Sequence, residues 1–316
     1  MQFSVIIPAY NEEEVIEVCY SELTKVMQDL EETYELIFVD DGSHDETVSI
    51  LRKISQEDKN VRIISFSRNY GHQIAITAGM DYSKGEAVVI IDADLQDPPS
   101  LIPLMVEKWR EGFHVVYAKR IKRKGESFFK KVTAKIYYRL LNNLTDIEIP
   151  VDTGDFRLVD RRIVNILKED IREKNRYVRG LISWIGFNQT YIEYERSERL
   201  AGETKYPLKK MIKFAVDGLT SFSYKPLKIA TKIGFLLSIA AFVHLVYVVI
   251  EALFFYRTNP GWASLMSVLL FSQGIILIIL GIIGEYISRI FKEAKDRPLY
   301  IVQESIGYEP PPEGAS

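Results

Sequence analysis

A chain of 316 residues, 47% hydrophobic and 26% charged, has room for a catalytic domain and a second module. Its formal net charge of -3 gives no sign of nucleic acid as a partner, and a single cysteine, Cys19, excludes an internal disulfide framework. Mean hydropathy is close to zero, yet it averages unlike parts, because polar and apolar segments alternate to about Tyr224 and two long apolar runs follow.

Taken in order, Phe3 to Ile7 reads as a buried strand and Pro8-Ala9-Tyr10-Asn11-Glu12 as the turn after it. A helix follows with Val15, Val18, Leu23, Val26 and Leu30 expected on its buried stripe. Glu35 to Val39 is a second strand, ending on Asp40 and Asp41. Ser43 and Glu46 have capping-box spacing ahead of a helix bearing Val48, Leu51 and Ile54. Val61 to Phe66 is a third strand and His72 to Tyr82 a helix, stopped near Lys84-Gly85. Ala87 to Ile91 is the central strand, followed by a helix over Leu101 to Arg110 and a strand at Val115 to Tyr117. Strands separated by helices of this length predict an α/β domain with a mostly parallel, doubly wound sheet.

The central strand ends on two carboxylates one residue apart, Asp92 and Asp94, before Pro98-Pro99. Ligands of open α/β sheets sit outside the carboxyl ends of the strands. Two hard oxygen donors there suit a divalent cation with positions left open for substrate phosphates. Dinucleotide binding through a glycine fingerprint is excluded, since the turn Pro8 to Glu12 holds no glycine, and no Walker-type Gly-Lys-Ser/Thr follows any strand. Phosphates must then be neutralised by a metal and by basic side chains. For Asp40 the simpler reading is a structural hydrogen bond to its turn.

Several segments together resemble the family 2 glycosyltransferases of the GT-A fold. They are Val5-Ile6-Ile7-Pro8-Ala9-Tyr10-Asn11-Glu12, Val39-Asp40-Asp41-Gly42-Ser43 and Asp92-Ala93-Asp94-Leu95-Gln96-Asp97-Pro98. Arg68-Asn69-Tyr70-Gly71-His72 and Asp152-Thr153-Gly154-Asp155-Phe156-Arg157 narrow the resemblance to the branch acting on polyprenyl phosphates. That branch includes dolichyl-phosphate mannose synthases and the bacterial undecaprenyl-phosphate glucosyltransferases, which the paired C-terminal apolar runs match best. The resemblance implies that Pro8, Tyr10, Glu12 and Asp41 cradle the nucleotide, with Asp92 also on the donor side. It implies that Asp92, Asp94 and Gln96 hold Mg²⁺ or Mn²⁺ against the diphosphate. Asp155 falls where relatives acting on sugar hydroxyls keep a base. A phosphate acceptor, with a second pKa of about 6, is already ionised at pH 7, so Asp155 is expected to orient a substrate or pair with Arg157.

A dianionic acceptor needs cations. Lys119, Arg120, Lys122, Arg123 and Lys124 form one basic run, and Arg196, Arg199 and Lys205 a second. Arg199-Leu200-Ala201-Gly202-Glu203-Thr204-Lys205 resembles the family's mobile Arg-x-x-Gly-x-Ser-Lys loop, which implies phosphate binding by Arg199 and Lys205, with Arg120 nearby. Leu208, Ile212, Ala215, Leu219 and Phe222 fall on one helical face opposite Lys209, Lys210 and Lys213, the pattern of an interfacial helix.

Ile229 to Phe255 and Ala263 to Ile287 are each long enough to span a bilayer. Lys225, Lys228 and Lys232 precede the first run and Arg289, Lys292, Lys295 and Arg297 follow the second, while the connector carries only Arg257. By the positive-inside rule both ends, and the enzyme domain, are cytoplasmic. Gly274, Gly281 and Ser288 recur every seven residues, a stripe that would let helices of a homo-oligomer approach closely. The expected organisation is a catalytic domain over 1–206, an interfacial helix over 207–226, a transmembrane hairpin over 227–290 and a cytoplasmic tail over 291–316. The expected activity is metal-dependent, inverting transfer of glucose from UDP-glucose to undecaprenyl phosphate. The alternatives are a UDP-N-acetylglucosamine or GDP-mannose donor, or an inactive lipid-binding scaffold.

Overall fold

The computed structural model describes residues 1–121, 153–195, 225–255 and 261–308. Lys122 to Lys124, Arg196, Arg199, Lys205 and nearly all of the expected interfacial helix lie outside them. The described residues form an eight-stranded sheet in the order β7-β5-β6-β4-β1-β2-β3-β8. Its strands are β1 Phe3–Ala9, β2 Tyr34–Asp40, β3 Val61–Phe66, β4 Ala87–Ile90, β5 Val115–Arg120, β6 Thr153–Asp160, β7 Gln189–Tyr194 and β8 Val302–Ile306. The helices are α1 Ile16–Gln28, α2 Thr47–Glu57, α3 His72–Tyr82, α4 Ile102–Arg110, α5 Arg161–Glu169, α6 Val178–Ile185, α7 Lys225–Phe255 and α8 Trp262–Ala294.

Strands β4, β1, β2 and β3 run parallel, as apolar runs buried on both faces require. Every residue of β1, β2 and β4 is buried. Alternate side chains then feed two cores. Phe3, Val5 and Ile7 meet Cys19, Leu23 and Met27 of α1 on one face. Ile6, Ile37 and Ile64 meet Ala75 and Ala78 of α3 on the other. Each such fully buried aliphatic side chain stabilises the fold by about 1.5–3 kcal/mol. The mostly parallel α/β sheet expected from the alternation is present.

Two local readings are corrected. Of the stripe expected for α1, Val15 and Leu23 are buried and Val26 and Leu30 pack against the core, but Val18 is exposed, and Ile16, Cys19 and Met27 complete the buried face. The capping box does not form: α2 starts at Thr47 without a side-chain cap, and the Ser43 hydroxyl instead accepts from Asn11 N at 2.9 Å. Asp155 lies on a strand that the sequence reading did not identify. That strand, β6, inserts antiparallel between β4 and β5.

Helices α7 and α8 span 31 and 33 residues, about 45–50 Å at 1.5 Å per residue. Both contain stretches long and apolar enough to cross a membrane, Leu227–His244 and Phe271–Ala294, with almost none of either buried by protein. Beyond α8 the chain returns to the sheet, where β8 pairs antiparallel with β3. The Tyr300 hydroxyl donates to Asp81 Oδ2 at 2.8 Å. Lys174 meets Glu293 through its backbone amide and Asp296 through Nζ, both at 2.7 Å. The end of α8 and the segment after it are thus held against the sheet domain at two places.

Candidate active site

The parallel strands β1, β2 and β4 bring their carboxyl ends to one edge, where Tyr10, Asp41, Asp92 and Asp94 follow them in sequence. Pro8 is buried inside β1, so it shapes the turn, while Tyr10 and Glu12 are half-buried beyond it. That turn is zipped to the next. Asn11, with φ +53°, accepts from His44 N at 2.9 Å through Oδ1, and Glu12 N donates to Thr47 Oγ1 at 2.9 Å. Asp40 is structural as expected: it accepts from Ser43 N at 3.0 Å and from Ser65 Oγ at 2.7 Å.

Asp41 is buried, which raises its carboxyl pKa against the pull of backbone amides. It accepts from Tyr70 N at 2.6 Å and Gly71 N at 2.9 Å. The carboxylate thereby fixes the Arg68-to-Gly71 turn beside it. Gly42 permits this approach: its φ is +72°, and a Cβ there would stand 2.5 Å from the Arg68 carbonyl carbon.

The next group is a charge cluster that sequence reading did not assemble. His72, the first residue of α3, places Nε2 3.4 Å from Asp92 Oδ1 and 3.3 Å from Asp155 Oδ2. Asp155 also faces Arg179 Nη2 at 3.1 Å and Arg157 Nη2 at 3.6 Å. Burial alone would raise the Asp155 pKa, but Arg179, His72 and Arg157 outweigh it and hold the carboxyl well below the usual range. Burial lowers His72, yet Asp92 and Asp155 reverse this and push the imidazole up to about 9. Asp92 itself is pushed up to about 6, chiefly by burial and despite His72.

Gln73 ties the cluster to α6, since its Oε1 accepts from Val178 N at 3.0 Å, one residue before Arg179. Only folding brings these groups together, because Arg179 lies more than a hundred positions from His72. The available signal was the Arg68-to-His72 motif, in which His72 was read only as the start of a helix. Arg179 carried no local signal.

The metal motif can be tested on its own atoms. Asp92 Oδ1 is buried and accepts no hydrogen bond, and Gln96 N donates to Asp94 Oδ1 at 3.1 Å, turning that side chain back over its loop. Asp92, Asp94 and Gln96 are all half-buried. Among the described residues no three His, Cys, Asp or Glu side chains form a cage. An open, carboxylate-poor site of this kind fits an ion that takes its other ligands from phosphates and water. Arg120, expected on the acceptor phosphate, points its guanidinium to Asp97 and Tyr194.

The chain is similar to known proteins over most of its length. Residues 4–167 match the model of "Glycosyl transferase family 2" and residues 225–290 that of the "GtrB C-terminal hairpin". The chain is 59% identical to the uncharacterized glycosyltransferase YkcC of Bacillus subtilis, over 98% of this chain and 95% of that protein. An uncharacterized glycosyltransferase of Synechocystis is 44% identical over 98% of this chain and 97% of its own length. A bactoprenol glucosyl transferase of Shigella phage SfII is 39% identical over 96% and 98%, respectively.

Proposed function

The chain belongs to glycosyl transferase family 2, and on that premise we propose that it moves glucose from UDP-glucose to a polyprenyl phosphate with inversion. One observation carries the reading. A single chain joins carboxylates at the carboxyl edge of a parallel sheet, Asp92 and Asp94, to helices long and apolar enough to cross a membrane. A water-soluble donor and a lipid acceptor need that combination. The relative named as a bactoprenol glucosyl transferase supports the choice of sugar and lipid.

In this reading an acceptor phosphate oxygen attacks the anomeric carbon, the bond to the diphosphate breaks, and UDP leaves with the electron pair. The acceptor is a dianion above its second pKa of about 6, so no residue needs to remove a proton. Asp155 suits that chemistry. With Arg179 and His72 both within 3.3 Å it is a weak base, and its work is to hold those cations in place. Tyr10, Glu12 and Asp41 would hold the nucleotide, on the turn that Pro8 shapes from inside β1. Asp92, Asp94 and Gln96 would hold Mg²⁺ or Mn²⁺, which supplies neutralisation of the charge developing on the leaving diphosphate. Arg199 and Lys205 would grip the acceptor.

Lys225, Lys228 and Lys232 at one hairpin end and Arg289, Lys292 and Lys295 at the other support a cytoplasmic catalytic domain on a two-pass anchor. Association of copies through Gly274, Gly281 and Ser288 rests on the stripe alone. The deciding experiment supplies purified protein in nanodiscs with polyprenyl phosphate and, separately, UDP-glucose, UDP-N-acetylglucosamine and GDP-mannose. Glucosyl lipid formed only from UDP-glucose is the expected result; another sugar on the lipid changes the donor, and no product from any donor overturns the reading.

A further inference from the structure

Asp97 closes the motif that begins at Asp92, and its carboxylate is 1% exposed. It accepts a hydrogen bond from the Tyr194 hydroxyl and faces Arg120 Nη2 at 3.3 Å. Arg120 Nε in turn donates to the Tyr194 hydroxyl at 3.0 Å. Arg120 and Tyr194 are the last residues of β5 and β7 and partner each other in register. The node is closed from above by β6, where a Cβ on Gly154 would stand 2.6 Å from Arg120 Nη2 and 3.4 Å from Asp97 Oδ2. Three side chains thus fasten the metal-motif loop to the ends of two strands.

The loop needs fastening. Leu95 has φ +52°, a left-handed conformation that costs free energy in a residue with a Cβ, and more so in one without a polar side chain to hydrogen-bond locally. Leu95 is also anchored in the core beneath the sheet edge. The turn that results lets Gln96 N reach Asp94 Oδ1, fixing the direction of that carboxylate. A strained turn persists only where its surroundings over-determine it. Leu95 is gripped from below by apolar packing, and the Asp97 node grips the other end.

We infer that Asp97, through Arg120 and Tyr194, is a positioning residue that sets Asp94 for the cation. This rests on the metal reading above, and it assigns Arg120 to the loop instead of to the acceptor phosphate. Partners behind a metal ligand are commonly worth 10–100-fold in metal affinity. The test uses the full chain in nanodiscs and the variants Asp97→Asn, Tyr194→Phe and their combination. Mn²⁺ affinity is read from the free-ion paramagnetic resonance signal with UDP present, beside melting temperature and the donor kcat and KM.

Asp97→Asn should weaken Mn²⁺ binding by about 10-fold or more and lower kcat, Tyr194→Phe should do so less, and the pair should lose no more than Asp97→Asn alone. That non-additivity marks one shared network. Wild type that binds Mn²⁺ while folded variants bind it equally well overturns the inference and leaves the metal reading standing. Wild type that binds no Mn²⁺ overturns both. Should Asp97→Asn fail to fold, a folded Tyr194→Phe with unchanged Mn²⁺ affinity overturns the inference by itself.

Discussion

Arg179 Nη2 stands 3.1 Å from Asp155 Oδ1, joining the helix α6 to the strand β6 inside the candidate active site. Both groups are largely buried, so breaking the pair leaves a carboxylate without its strongest counter-charge. Arg179→Met is expected to destabilise the catalytic domain by about 3 kcal/mol at pH 7. The pH dependence follows from the sign of the shift. The Asp155 pKa is depressed in the folded state, so its contribution is present above the unfolded value of about 3.9 and is lost as pH falls through the folded one. Thermal melts of wild type and variant should therefore differ most near neutrality and converge in acid. A gap that persists unchanged below about pH 3 would mean that Arg179 stabilises by packing alone.

Asp94→Asn keeps the shape of the turn and removes one charge at the proposed cation site. Transfer should be abolished and UDP binding should lose its dependence on Mn²⁺, with the melting temperature little changed. Titration calorimetry of UDP with and without metal reads this directly. Full activity in the variant, or in excess chelator, contradicts a metal role.

Arg199 lies outside the described residues, and its expected role comes from the loop motif. Arg199→Ala should lower turnover at least tenfold while UDP affinity without acceptor stays close to wild type. Equal turnover in the variant would reduce the segment to a linker.

The C-terminal strand carries a prediction of a different kind. Tyr300 donates to Asp81, which also faces Arg172 Nη1 at 2.7 Å. Tyr300→Phe should cost about 1 kcal/mol, the usual worth of one hydrogen bond. Removing residues 298–316 should cost far more, because β8 is lost from the edge beside β3. Melting curves would show it, and unchanged stability after truncation would mean that the strand is not held in solution.

How far the sequence revealed these features depended on how local their causes were. β1 to β4 and α3 were legible because β-branched apolar runs and helix stops lie within a few residues of what they determine. β6 was not, since Arg157 is 1% exposed in the middle of it and a buried charge breaks the apolar signature. β8 was hidden for another reason: Val302-Gln303-Glu304-Ser305-Ile306 is short and half polar, and its partner β3 lies far upstream, before β4 and both long apolar helices. In the site, Asp92, Asp94 and Asp155 were readable from motif context. His72, Arg179 and Tyr194 were not, because their roles exist only once distant elements meet.

The last prediction concerns whether Asp155 takes a proton from the acceptor. A general base must titrate within the working range, and its ionisation must appear on the acid limb of the rate profile. Asp155 sits between Arg179, His72 and Arg157 and holds its proton only well below the usual carboxylate range. An acid limb near pH 6 is therefore not that of Asp155: the groups that titrate there are the acceptor phosphate, whose second pKa is about 6, and Asp92, pushed up to about 6. Asp155→Asn should lower the rate by releasing Arg179 and His72 from their positions, and the limb should stay where it is. Transfer rates at saturating metal for wild type and variant between about pH 5 and 8 make the comparison. A limb that disappears in the variant would restore Asp155 as the base, and the cations around it would then need another explanation.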